Sequence, residues 1–256
     1  MLIEYELFRQ EVAVNLHRYV ASLMVGAGVI LGSVGIRPAG AAAPTTAPSY
    51  SITYVPPGAD LPVTRVNGPV RGSAGGGPNI FVLSPEHTGL TTQDQPSLFW
   101  YLDRPAGNVK AMLTIVQAKK PEPLLEMQLD ASRPGIQRVN LASTSCHLQA
   151  GAEYTWVIAL VPDEAHRMND VTRSADIRRI DPPEPLVDKL LTLGSTTDRA
   201  VVYARSGIWY DALAAVSDQI DATPGDPMVR GLRAALCNQA SLPEVAAFDT
   251  RALSLK

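Results

Sequence analysis

Apolar residues between positions 79 and 181 recur with a period of two, in short runs separated by turn segments such as DRPAGN, KKPEP and SRPG. A period of two places successive side chains on opposite faces of a strand, so each run predicts a half-buried β-strand. Seven such strands within about a hundred residues are typical of a β-sandwich. The predicted strands are residues 79–83, 97–102, 109–116, 124–129, 136–141, 154–161 and 171–180.

The segment LQAGAEYTW at 148–156 indicates which kind of sandwich this is. It matches the turn before a late strand of immunoglobulin-like domains, in which a tyrosine hydroxyl bonds to the backbone a few residues upstream. We therefore expect the Tyr154 hydroxyl to make that bond, and Trp156 to point into the core and meet Trp100 of the opposite sheet. Core packing is the preferred role of these aromatic residues, and a platform for carbohydrate stacking is the alternative.

Beyond position 181 the apolar period becomes helical. The segment DPPEP at 181–185 interrupts the chain, and Pro185 suits the first turn of a helix that ends near Leu193. Residues 228–239 predict a further helix. Between them, small, aromatic and proline residues have the spacing of one tetratricopeptide repeat, which predicts two antiparallel helices. These residues are Ala200, Tyr203, Gly207, Trp209, Ala212, Val216 and Pro224.

The predicted fold is therefore α+β, with an immunoglobulin-like antiparallel β-sandwich at 79–181 followed by a helical, tetratricopeptide-like hairpin region at 182–256. A single repeat cannot bury its own apolar face, so the hairpin must pack on the β-domain or on a partner protein. Tyr203, Trp209 and Tyr210 are the candidate partner contacts. The alternative is that they form core between the two regions, which is favoured more for Trp209 than for Tyr210.

The first 41 residues predict export. The apolar run at 19–36 carries no charge, follows Arg18 and precedes small residues, as in a signal peptide cleaved after Ala41. The run is also close to the length that spans a bilayer, so an uncleaved inner-membrane anchor is the alternative. Both predict a protein of the periplasm or cell envelope that contacts membrane only through 19–36, if at all. Residues 42–78, rich in Pro, Gly, Ser and Thr, predict an extended, mobile linker.

The net charge restricts the possible binding partners, and the two cysteines raise the question of a disulfide. The net charge of −3 and pI near 5.8 provide no basic surface for nucleic acid, which is excluded as a partner. Cys146 and Cys237 are the two cysteines of the chain. They are expected either to form a disulfide that joins the two regions or to remain free and buried.

No constellation of catalytic residues is found. His166 lies in a polar loop at 163–170 that matches neither calcium-loop nor zinc spacing, which favours a solvated turn. Cys146 and His147 are adjacent, so on a strand they would point to opposite faces and could not act as nucleophile and base. We therefore predict a protein that is not an enzyme, with no catalytic, cofactor-binding or metal-binding residue and no cofactor.

Several motifs together resemble a bacterial family known as domain of unknown function 928. They are LSPEHTGLTT at 83–92, PSLFWY at 96–101, GAEYTW at 151–156 and, most distinctively, YARSGIWYDAL at 203–213. The resemblance covers about residues 79–239. It implies an exported protein with a β-domain and an appended helical hairpin, and it transfers no activity.

These observations favour a non-enzymatic binding or scaffold protein of the bacterial cell envelope, with another envelope protein as its partner. A carbohydrate- or peptidoglycan-binding protein is one alternative, based on exposed aromatic residues and the acidic loop at 163–170. A membrane-anchored accessory subunit of an envelope complex is the other.

Overall fold

The computed structural model describes residues 50–58, 61–67, 77–120 and 122–254. Within them, eight strands are followed by five α-helices, which confirms the predicted α+β class. The predicted signal peptide or anchor at 1–41 lies outside the described residues. Among the helices of the described ranges, none is both long and apolar enough to cross a membrane.

The strands form two sheets. A three-stranded antiparallel sheet has the order β1-β3-β6, and a five-stranded sheet has the order β2-β8-β7-β4-β5, in which β2 is parallel to β8 and the other pairs are antiparallel. All seven predicted strands are present with ends shifted by at most one residue, and β2 is the unpredicted addition. The strands are β1 (Ile80–Val82), β2 (Gly89–Thr91), β3 (Ser97–Leu102), β4 (Lys110–Gln117), β5 (Pro123–Leu129), β6 (Gly135–Asn140), β7 (Glu153–Val161) and β8 (Val171–Arg179).

Alternating apolar residues give both sheets a buried face, and these faces share one sandwich-like core. In β7, Tyr154 and Trp156 are both buried. The Tyr154 hydroxyl accepts a hydrogen bond of 2.8 Å from the backbone N–H of Gln149, as expected. Trp100 lies in the same core, but the ring that meets Trp156 edge-on is that of Tyr210, at 6.5 Å between centroids.

Five helices follow the sheets. The side chain of Ser195 caps α2 and that of Asp226 caps α4, each by accepting backbone N–H groups of the first turn. Helices α2 and α3 pack together, as do α4 and α5. The last helix was not predicted. The helices are α1 (Glu184–Leu191), α2 (Thr196–Arg205), α3 (Trp209–Ala222), α4 (Pro227–Gln239) and α5 (Pro243–Ser254).

Two of these helices contact the three-stranded sheet. The ring of Tyr101 on β3 meets that of Phe248 on α5 at 5.5 Å, edge to face. On β6, Arg138 forms an ion pair of 2.5 Å with Asp218 of α3. The sheets and the helices share their hydrophobic core, and the residues that the structure describes form one compact unit.

Residues 50–58, part of the predicted linker, are extended but packed. Ile52 and Tyr54 are buried in the core. The Gln239 side chain accepts a hydrogen bond from the Tyr54 N–H (2.8 Å) and donates one to the Ile52 carbonyl (3.1 Å). This packing corrects the prediction of a mobile linker here, because Tyr50, Ile52 and Tyr54 form an alternating apolar pattern within a Pro-rich and Gly-rich stretch.

The same extended segment lies against the turn between α2 and α3. The N–H of Val55 donates to the carbonyl of Ala204 at 3.0 Å. Gly207, in that turn, has φ +76°, and a Cβ there would come within 2.9 Å of the Val55 carbonyl oxygen. Glycine is therefore required both by the backbone conformation and by the close approach of the segment.

Candidate functional site

Trp209 and Tyr210, two of the three candidate contact residues, form the first turn of α3. Neither has any exposed surface. The indole N–H of Trp209 donates a hydrogen bond of 3.0 Å to the carbonyl of Leu83, just after β1. Both residues lie in the core shared by sheets and helices, so Tyr203 alone of the three has surface to offer a partner.

The Tyr210 hydroxyl joins α3 to the five-stranded sheet and to the loop after β1. It accepts a hydrogen bond from the indole N–H of Trp156 (2.8 Å), lies 3.1 Å from the Ser84 hydroxyl, and donates to the Asp176 carbonyl at 3.3 Å. Burial raises the pKa of Tyr210 above its ordinary value. A Cβ on Gly89 would come within 2.6 Å of the Tyr210 ring, so β2 needs glycine at that position.

Asp211, the next residue, binds the segment at the end of β2. Its carboxylate accepts hydrogen bonds from the Thr91 hydroxyl (2.6 Å), the Thr92 N–H (3.1 Å) and the Thr92 hydroxyl. Burial raises the pKa of Asp211, and the hydrogen bonds from the two threonines oppose that shift. This residue was not among the candidates predicted from the sequence, although an acidic residue directly after two aromatic ones in a distinctive motif was a signal that could have identified it.

A surface groove passes along Tyr203, and we call it the Tyr203 groove. It consists of two adjoining depressions of about 420 and 290 Å³ that meet at Gln93, Arg199 and Tyr203. The three-stranded sheet, the loop segments after β2 and β8, and the first three helices contribute to its walls. The other lining residues are Thr92, Gln95, Pro96, Ser97, Arg138, Asn140, Pro182, Val187, Leu190, Leu191, Thr196, Asp211, Ala214, Ala215 and Asp218.

The two depressions differ in chemistry. The smaller one has an apolar wall on α1 that includes Val187 and Leu191, and Leu191 is 78% exposed. The larger one carries amide, hydroxyl and guanidinium groups, among them Asn140, Thr196 and Arg138. An extended ligand in the groove would therefore meet an apolar surface at one end and hydrogen-bonding groups at the other.

Electrostatics around Tyr203 favour an acidic group in the ligand. Arg199 is exposed on α2, one turn before Tyr203, whereas Arg138 is already paired with Asp218 and Asp221. The pKa of Tyr203 is raised by its burial and by the nearby charge of Asp211, and Arg199 opposes the shift. Arg199 is therefore the groove's exposed cation best placed to meet an anionic group.

The other groups considered in the sequence lie apart from the groove. His166 bonds to Asp163 at 2.6 Å in an exposed loop. No cluster of three or more His, Cys, Asp and Glu side chains suited to a metal ion occurs within the described ranges. Cys146 and Cys237 are free and buried rather than joined in a disulfide.

These features define an α+β protein with a sandwich-like pair of sheets, a helical region fixed to them and a groove between the two. The chain belongs to the family described as Domain of Unknown Function (DUF928), whose model matches residues 66–249, more than half of the chain. The resemblance stated from the motifs is thereby confirmed.

Other comparisons add little. No curated protein matches the sequence. Among solved structures, the fn3 domain of human collagen alpha-1(XX) is similar with 10% identity and a TM-score of 0.26, over 54% of this chain and 92% of that domain. A multi-domain immunophilin from Arabidopsis thaliana has 8% identity and a TM-score of 0.17, over 78% and 99% of the two chains. Neither likeness is close enough to support an argument about fold.

Proposed function

We propose that this protein is a non-enzymatic binding module of the bacterial cell envelope that holds an extended segment of a partner protein in the Tyr203 groove. The observation that carries the proposal is the position of Tyr203 and the exposed Arg199 between an apolar and a polar depression. Peptide grooves combine apolar pockets, which provide affinity, with a few polar groups that fix orientation.

The segment that fits this groove has an apolar residue close to an acidic one. Its apolar side chain would cover Leu191, whose exposure in an isolated protein is otherwise unfavourable, and its carboxylate would pair with Arg199. The amide nitrogen of Gln93, where the two depressions meet, donates to the Thr92 hydroxyl at 3.1 Å, and its carbonyl oxygen would accept a hydrogen bond from the backbone of the segment. The nearby charge of buried Asp211 disfavours a carboxylate directly beside Tyr203, so the acidic residue of the segment is expected at Arg199, one helical turn away.

We further infer that the two sheets form an immunoglobulin-like sandwich and that α2 and α3 form a hairpin of the tetratricopeptide type. The hydrogen bond from Gln149 to Tyr154 supports the first inference. Buried small residues on the helices, such as Ala200, Ala204 and Ala212, support the second, because they allow close helix packing.

Site-specific photocrosslinking in native envelopes tests the groove. A photoreactive residue in place of Leu191 is expected to form an adduct with one protein, and Arg199→Glu is expected to weaken that adduct at least tenfold by reversing the charge. The control position is Met168, which is 100% exposed in the loop between β7 and β8 and lies outside the groove. Equal adducts from both positions, or no response to Arg199→Glu in a folded variant, would contradict the proposal.

Export is a separate part of the proposal and rests on the apolar run at 19–36. Cleavage after Ala41 gives a free periplasmic module, whereas retention of the run gives a membrane-anchored subunit. N-terminal sequencing of the mature protein from fractionated cells distinguishes the two. Recovery of the intact chain in the cytoplasmic fraction would contradict both.

A further inference from the structure

A second groove lies between the edge of the three-stranded sheet and α5, and we call it the Phe81 groove. It has a volume of about 650 Å³ and continues into a depression of about 510 Å³. The two parts share Phe81, Pro243 and Glu244. They share no residue with the Tyr203 groove.

The floor of the Phe81 groove is the half-buried ring of Phe81, beside which the ring of Tyr101 is almost fully buried. Phe81 and Tyr101 are direct neighbours in the antiparallel pair of β1 and β3, with ring centroids 6.2 Å apart and planes inclined by 44°. Phe248 of α5 supports Tyr101 edge to face at 5.5 Å. Because the rings are held by a sheet and a helix, their geometry is fixed before any ligand arrives.

Polar groups of both charges surround this floor. Asp103 accepts two hydrogen bonds of 2.8 Å from the backbone and side chain of Asn79, which fix its position at the rim. Glu244 and Arg251 are exposed on α5. Arg65, in the continuing depression, donates to the Ala240 carbonyl at 2.6 Å and lies 3.7 Å from Glu86.

We propose that the Phe81 groove binds a neutral oligosaccharide. Aromatic rings pack on the apolar faces of sugar rings, and a rim with both donors and acceptors matches hydroxyl groups, which are both at once. An anionic ligand would meet three carboxylates but only one exposed guanidinium group, that of Arg251, because the Arg65 side chain is 6% exposed and bonded to backbone carbonyls. A purely apolar ligand would leave the rim groups without partners as they lost water. The continuation past Phe81 favours a chain of sugars over a single one.

Calorimetric titration of the purified full chain with soluble tetramers of N-acetylglucosamine and of glucose tests this proposal. We expect at least one tetramer to bind, Phe81→Ala to weaken it at least tenfold, and Glu244→Gln to weaken it several-fold. The controls are Met168→Ala and Leu191→Asp, which are expected to leave sugar binding unchanged because both residues lie outside the Phe81 groove.

If Phe81→Ala does not fold, as judged by its melting temperature, Glu244→Gln and Arg251→Ala decide the question, because both residues are exposed. The proposal would be overturned if neither tetramer bound. It would also be overturned by sugar binding that persists unchanged in the folded Phe81 groove variants, or by displacement of the sugar by a proline-rich peptide at much lower concentration. The photocrosslinking at Leu191 reports on the other groove, so the two proposals can fail separately.

Discussion

The indole N–H of Trp156 donates a hydrogen bond of 2.8 Å to the hydroxyl oxygen of Tyr210, which joins β7 to the first turn of α3 inside the core. The residues on either side of Tyr210 make equivalent links: Trp209 bonds to the backbone after β1, and Asp211 bonds to the end of β2. Three consecutive residues of one helix thus bind three segments of the β-region. The Tyr203 groove depends on this junction because its walls come from both sides of it.

Tyr210→Phe is expected to lower the free energy of unfolding by about 1–3 kcal/mol, because it leaves the buried Trp156 N–H without its acceptor. The measurement is urea denaturation. Tyr50→Phe provides the matched control, since Tyr50 is half-buried and the same hydroxyl is removed; it should stay within about 0.5 kcal/mol of the parent. Equal losses of unfolding free energy in the two variants would show that the hydrogen bonds of the Tyr210 hydroxyl add no special stability.

Asp211→Asn is expected to alter the pH dependence of stability. Burial raises the folded-state pKa of Asp211 above its unfolded value of about 3.9, so the folded state binds the proton more tightly. The stabilisation from this group is therefore fully present below the unfolded pKa and is lost as the pH rises through the folded pKa. The stability of the parent relative to the variant should be greatest below about pH 4 and should decline towards about pH 7.

Urea denaturation of both proteins across that pH range measures this difference. Comparing the two chains at each pH cancels the titration of every other group that they share. A parent advantage that increases with pH would mean that hydrogen bonds from Thr91 and Thr92, rather than burial, dominate the Asp211 carboxylate.

The strands could be predicted because their signal is local. Alternation along β4 or β7 needs no knowledge of the partner strand, and the bond from Gln149 to Tyr154 spans only five residues. The three residues of β2 carry too short a pattern, and their partner is the distant β8 in a parallel pair. Helix α5 was missed because the end of α4 carries no glycine signal. A glycine usually occupies the left-handed position after a helix, but here that position is Ser241, with φ 55°.

The candidate site was predicted only in part. Tyr203, Trp209 and Tyr210 stand out together in the sequence, but burial separates them, because the start of α3 enters the core while Tyr203 on α2 borders a groove. Which side of a helix meets a sheet depends on contacts with residues far away in the chain, such as Leu83. Local patterns in a single sequence do not reveal such long-range contacts, and for the same reason the packing of Ile52 was not predicted.

Gln239→Ala is expected to release the extended segment at 50–58 from the helices. It removes the hydrogen bonds to the backbone of Ile52 and Tyr54, which should lower stability by about 1–2 kcal/mol. Limited proteolysis with chymotrypsin, followed by mass spectrometry, should show faster cleavage at Tyr54. Gln149→Ala is the control, since that side chain is exposed; similar cleavage rates in the two variants would indicate that other contacts hold the segment.

The two cysteines are expected to be unreactive in the folded protein. Burial raises the pKa of both thiols, that of Cys237 to about 12, and the thiolate is the reactive form. Titration with a thiol reagent at pH 8 without reductant should detect neither cysteine in the native chain and both in urea. No reaction in urea would instead reveal a disulfide, contrary to the free cysteines seen here.

The ion pair of Arg233 and Asp249 joins α4 to α5 within the core. Two hydrogen bonds of 2.7 Å connect the guanidinium to the carboxylate, and Asp249 has no exposed surface. Arg233→Met should therefore lower stability by about 3–5 kcal/mol, because the carboxylate keeps only a contact of 3.4 Å with Arg230. Adding Asp249→Leu removes the buried charge and should restore most of that loss. A double-mutant cycle by urea denaturation measures the coupling, and additive losses would show that the two charges act independently.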